Sequence, residues 1–158
     1  MKIDFPKTCE INLIAYLLLF LFLIWGSGQL TGYIALKIYP ELDIIFSDQE
    51  KGSSTDLLFA LIISPLIETV MLAYCILISR QIIKNKNISL ICAVLPVCAL
   101  HALVFWQLAL IALLPFFFQA SAYVTLRERW PASTSIIAIA ILHGMANFTT
   151  LYLSKSLP

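Results

Sequence analysis

Residues 87–126 read NISLICAVLPVCALHALVFWQLALIALLPFFFQASAYVTL, forty residues with no Asp, Glu, Lys or Arg. As one helix this run would reach about 60 Å at 1.5 Å per residue, roughly twice the 30 Å hydrocarbon core of a bilayer. It must therefore fold back once. The break is expected in HALVFWQ, residues 101–107, where His101, Trp106 and Gln107 interrupt the aliphatic pattern.

Outside this stretch, three further uncharged runs cover residues 11–36, 57–79 (interrupted only by Glu68) and 130–154. A helix crosses the core in about 20 residues. The expectation is an all-α polytopic transmembrane bundle of five spans, about 11–36, 56–79, 88–104, 106–127 and 131–153. Composition agrees: of 158 residues, 61% are hydrophobic and 12% charged, against about half and a quarter in soluble domains. The net charge of +1 gives no bias towards nucleic acid. The length suits one domain over 1–158, with membrane lipid as its surroundings. Cys9, Cys75, Cys92 and Cys98 form no CxxC or zinc-ribbon pattern, and three of them read as small lipid-phase residues.

MKIDFPKTCE and the apolar run that follows have the outline of a secretory signal peptide. The run continues through Gly28 and Gly32 to Leu36, however, and Glu10 stands at its front edge, so a retained helix is expected. The one sizeable loop, 37–56, holds five acids and two lysines. Seven of the ten Lys and Arg residues fall on the side of the N-terminus if it is cytoplasmic, and three on the other. By the positive-inside rule this predicts the N-terminus inside and the C-terminus outside.

Ionisable groups within spans are costly and mark function by default. Here they are Glu68, His101 and His143, and the last two are the only histidines of the chain. Glu68 lies 12 residues from Arg80, His101 15 from Lys86 and His143 14 from Arg129. These separations correspond to depths of about 18, 22 and 21 Å. Three groups on three helices thus share a level and can converge on one buried site near the midplane. Asn147 follows His143 by four residues and projects from the same helix face. Gly144 and Ala146 allow close helix approach. Pro65 frees a backbone carbonyl beside Glu68, a group tolerated where it lines a cavity; Pro96 is expected to act similarly ahead of His101. Isolated Glu, His or Asn residues in spans commonly serve only as interhelical hydrogen-bonding groups. Their matched depths favour a joint role here, whereas Thr69, Gln107 and Gln119 are read as structural.

In order, PLIETVMLAY, VCALHAL and AILHGMANF resemble the three motifs of the CAAX-protease and bacteriocin-processing (CPBP, or Abi) intramembrane endopeptidases, over about residues 60–150. Glu68 and Pro65 match the first motif, His101 the second, and His143 with Asn147 the third, HxxxN. YVTLRERWPASTSIIAIAILH is also similar to the family's approach to the last motif. The chain departs from the pattern at Thr69, Ala73 and Val97, where a second glutamate, an arginine and an aromatic residue are usual. The resemblance implies hydrolysis of a membrane protein or peptide, and the small size is similar to bacterial members, placing the chain in the bacterial inner (plasma) membrane.

In the chemistry expected, Glu68 is the general base. His101 orients the water and shuttles the proton, while His143 and Asn147 donate to the oxyanion. No cofactor is favoured. Zinc is the open alternative, held by Glu68, His101 and His143, but that set would leave no second carboxylate as base. Cys98, three residues before His101, is the one nucleophile candidate. Two rivals remain. One is a non-catalytic relative that binds a membrane partner; the other is a small proton-coupled carrier, which lacks the inverted repeat common among transporters.

Overall fold

The computed structural model describes the backbone of residues 13–42 and 54–154 and the side chains of 15–42 and 56–150. Cys9, the N-terminal lysines, Lys155 and most of the 37–56 loop lie outside the described residues. All regular structure among them is helical: α1 (Leu13–Ile38), the short α2 (Ser54–Leu58), a π-helical segment (Phe59–Ile63), α3 (Ser64–Ile82), α4 (Lys86–Ala102), α5 (Trp106–Arg127) and α6 (Ala132–Ser154). The segment from α2 through α3 is one continuous span, so the bundle has five long rods. Four of them are long and apolar enough to cross a membrane, and α4 is a shorter apolar helix.

The forty-residue run breaks where expected. The amides of Val104 and Phe105 both bond to the His101 carbonyl at 3.2 Å. Phe105 is then extended, with φ −146° and ψ 128°, and α5 begins at Trp106. The sequence reading places α4 at 88–104, and the helix lies two residues earlier. Its start is fixed by the Asn85 side chain, which accepts from the amides of Asn87 and Ile88 at 3.0 and 3.2 Å. That N-cap satisfies two donors with no intrahelical partner. With 17 residues, α4 is about 26 Å long, and His101 stands one residue from its end.

The helices close into a ring in the order α1, α5, α4, α3, α6 and back to α1, with α5 also touching α3 and α6. The interior holds Ile24, Leu72, Val94, Val97, Phe116, Ala120, Ile139 and Leu142. Outside, Phe22, Ile67, Tyr74, Leu77, Leu110 and Ile141 are exposed, an apolar surface suited to lipid. Lipid is as apolar as these side chains, so close packing and hydrogen bonds must hold the helices together.

Proline supplies two of those bonds by what it lacks. Pro115 within α5 has no N–H for the Ile111 carbonyl four residues back. The Thr31 hydroxyl of α1 reaches that oxygen at 2.9 Å, sharing its hydrogen with its own Ser27 carbonyl, also at 2.9 Å. Gly28 packs beside the Pro115 ring. Substitution of Thr31 by Val keeps the shape and removes the donor. The expected loss is about 1 kcal/mol, within the range of interhelical hydrogen bonds in membranes, read as a lowered unfolding midpoint in mixed micelles. An unchanged midpoint would show that the Ile111 carbonyl needs no help from α1.

Pro65 has the same effect at the head of α3. The Ser64 amide bonds to the Phe59 carbonyl, five residues back, which sets the π register. Continuing that register, the partner of the Ala60 carbonyl would be the amide that Pro65 does not have. Asn147 Nδ2 of α6 donates to it instead, at 3.0 Å. One turn earlier on α6, Gly144 lies so close that a Cβ there would overlap the Leu61 carbonyl oxygen. The expected consequences of Pro65 and of the small residue at 144 are both present. They join in one contact between α6 and the π segment.

Candidate active site

Glu68 sits one turn into α3. Ser64, four residues earlier on the same face, donates its hydroxyl to Glu68 Oε1. The other carboxylate oxygen, Oε2, is 3.6 Å from His143 Nε2 of α6. Both side chains are largely buried, at 16% and 10% exposure. Glu68 is thus held at one oxygen by its own helix and faces a histidine with the other.

His101 reaches the same region from the end of α4. Its Nδ1 is 3.1 Å from the Val97 carbonyl, which directs Nε2 outward from its own helix. Phe116 of α5 joins the two histidines. Its ring contacts His101 with centroids 5.3 Å apart and His143 at 5.5 Å, both edge to face.

A cavity of about 330 Å³ opens beside this group, and His101, His143 and Asn147 line it together with Phe116, Gln119 and Trp25. Its remaining wall is mostly apolar. Glu68 is not part of the lining and reaches the cavity region through His143. The structure pairs Glu68 of α3 with His143 of α6 and links His101 to His143 through the Phe116 ring. Of the expected site residues, only the two histidines and Asn147 line the cavity, which differs from the one site expected to be shared by Glu68, His101 and His143.

Among the described residues, no three His, Cys, Asp or Glu side chains are grouped to hold a metal ion. As placed, Glu68, His101 and His143 do not make a zinc shell. Cys98 is buried and does not line the cavity. Thr69 and Ala73, the departures in the first motif, are also buried and outside the lining. Val97 is fully buried in the core.

Ser64, Phe116 and the wall residues Trp25 and Gln119 are absent from the sequence reading as site residues. Ser64 carries a signal, its four-residue spacing from Glu68. Phe116 and Trp25 carry none, because aromatic residues serve equally towards lipid and core, whereas Gln119 is a polar residue within a span whose spacing does not tell which way it faces.

Compared with known proteins, the chain matches no family model, no curated protein and no solved structure.

Proposed function

We propose that the chain is an intramembrane endopeptidase of CPBP type that hydrolyses a peptide bond in a membrane-associated protein or peptide. The observation that carries this reading is the Glu68–His143 pair beside a part-polar cavity within an otherwise apolar bundle. Glu68 takes a proton from water as the water oxygen attacks the peptide carbonyl carbon. The tetrahedral oxyanion receives hydrogen bonds from His143 and from Asn147, whose amide has a second hydrogen beyond the one given to Ala60. Collapse breaks the C–N bond, and the proton passes to the leaving amine with His101 as shuttle.

The charge pattern supports an N-terminus in the cytoplasm and a C-terminus outside, and the resemblance to small bacterial members supports the bacterial inner membrane as the setting. A second reading is a non-catalytic relative that holds a peptide in the cavity. It is favoured by the position of Glu68 outside the lining and by the commitment of one Asn147 hydrogen to the backbone.

The test is to profile new N-termini of membrane proteins in cells carrying wild type, His143→Ala or Asn147→Ala. His143→Ala should remove wild-type-dependent termini by about 10²-fold or more. Asn147→Ala should act more mildly on cleavage while lowering stability through the exposed Ala60 carbonyl. No wild-type-dependent termini at all would favour the binding reading. The purified protein should cleave equally with and without a zinc chelator; loss on chelation, restored by zinc, would overturn the metal-free chemistry.

A further inference from the structure

A serine or threonine hydroxyl inside a helix by default returns to the carbonyl four residues back. Ser79 of α3 does so with Cys75, Ser121 and Thr125 of α5 with Phe117 and Ser121, and Thr150 of α6 with Ala146. Ser64 does not. Its hydroxyl runs forward to Glu68 Oε1, while the carbonyl four residues behind it, that of Ala60, accepts from Asn147 Nδ2 of α6 at 3.0 Å.

The π turn accounts for the exception. In an α register the Ser64 amide would bond to Ala60. Here it bonds to Phe59, and Pro65, next in the π register, has no amide to offer. The Ala60 carbonyl therefore lacks the backbone donor that either register would give it. Two side chains could take that place: Asn147 from α6, and Ser64 at the usual four-residue spacing. Asn147 does so, and the one hydroxyl hydrogen of Ser64 is left for the carboxylate. Turns of π type recur at functional sites.

We propose that Asn147 is a positioning residue for Glu68, acting through Ala60 and Ser64. By satisfying the Ala60 carbonyl it keeps the Ser64 hydrogen on Glu68 Oε1, so that Oε2 stays turned to His143. Without Asn147 the orphaned carbonyl claims that hydrogen, since buried acceptors rarely stay unpaired. The carboxylate then loses the bond that fixes its rotation. The last helix is thereby tied to the base on α3 before any substrate arrives. The effect on catalysis rests on the endopeptidase reading; the linkage itself does not.

The test reads Glu68 directly, by infrared difference spectroscopy of the full chain in nanodiscs. The Glu68 carboxyl band is the one that Glu68→Gln removes. Ser64→Ala should shift this band, and Ser64→Thr, which keeps the hydroxyl, should leave it in place. Asn147→Leu, which keeps the bulk but donates nothing, should shift it as Ser64→Ala does. Asn147→Ser, too short to span to Ala60, should give the same shift if the leucine variant does not fold. Ser64→Ala combined with Asn147→Leu should shift it no further, because both act through one bond. With a substrate found by terminus profiling, Ser64→Ala should lower kcat about tenfold, the size expected of one bond to a charged group. KM should stay unchanged, and Ser64→Thr should restore kcat. A band unmoved by Ser64→Ala, a band unmoved by the Asn147 variants, or additive shifts in the double variant would each overturn the linkage. Linked shifts in a protein whose wild type cleaves nothing would overturn the endopeptidase reading alone. Cleavage by the wild type with a band that ignores Asn147 would overturn the linkage alone.

Discussion

Glu68→Gln is expected to insert and fold as the wild type does while its cleavage falls by about 10³-fold, inside the 10²–10⁴ range of a lost general base. The substitution is nearly isosteric. The glutamine oxygen still accepts from the Ser64 hydroxyl, the bond that holds the carboxylate now. Its amide nitrogen then faces His143, whose neutral ring has a lone pair to accept with. What disappears is the capacity to take a proton from water. Removing an ionisable group from a membrane interior relieves a solvation cost, so the unfolding midpoint should stay level or rise. Activity and stability therefore move in different directions. A structural role for Glu68 would make them fall together. The measurement is cleavage by proteoliposomes alongside thermal unfolding of the same preparation, using a substrate found by terminus profiling. Full activity in Glu68→Gln would end the glutamate-base mechanism.

Much of this architecture is legible from length and chemistry. Forty uncharged residues cannot form one span, which requires a fold-back, and His101, Trp106 and Gln107 place it near the observed break at 103–105. The start of α4 could also be read from Asn85, a good N-cap residue. Placing the span at 88–104 by its apolar residues overlooks that cap and shifts the helix by two. Pro65 is legible because a missing N–H always leaves a carbonyl to be satisfied. Which side chain satisfies it is not. Asn147 and Ala60 are 87 residues apart, and the π register that turns Ala60 towards α6 leaves no pattern in FALII. The inward face of α5 is hidden for a related reason. In a soluble helix, polarity marks the outer face. In a span, Leu and Phe serve equally towards lipid and towards the core. Phe116 between the histidines therefore appears only once the helices are packed, and Gln119, visible in the sequence as a polar span residue, is placed at the cavity wall only by that packing. Glu68, His101 and His143 were legible because charge inside a membrane is expensive. Their geometry as a pair and a third was not.

The contact that fixes this geometry gives the second large effect, at Gly144. Replacing glycine by alanine inside a helix ordinarily stabilises it by about 0.8–1 kcal/mol. Gly26 and Gly32 of α1 are such places, with nothing within 4 Å of an added Cβ. Gly32→Ala should therefore unfold at or above the wild-type midpoint. At Gly144 the same methyl would overlap the Leu61 carbonyl oxygen, a backbone atom that cannot rotate away. Overpacking of this kind costs about 1–3 kcal/mol, enough to reverse the sign. Gly144→Val adds two further methyl groups and should cost more. The displacement also has a direction. Pushing α6 off the π segment draws Asn147, one turn beyond Gly144, from the Ala60 carbonyl, and His143, one residue before Gly144, from Glu68 on the adjoining α3. Gly144→Ala should thus lose cleavage together with stability, unlike Glu68→Gln. Unfolding midpoints of Gly32→Ala and Gly144→Ala, measured side by side, test this directly. Equal or higher midpoints for both would mean that α6 does not rest on the Leu61 carbonyl and that the close approach positions nothing.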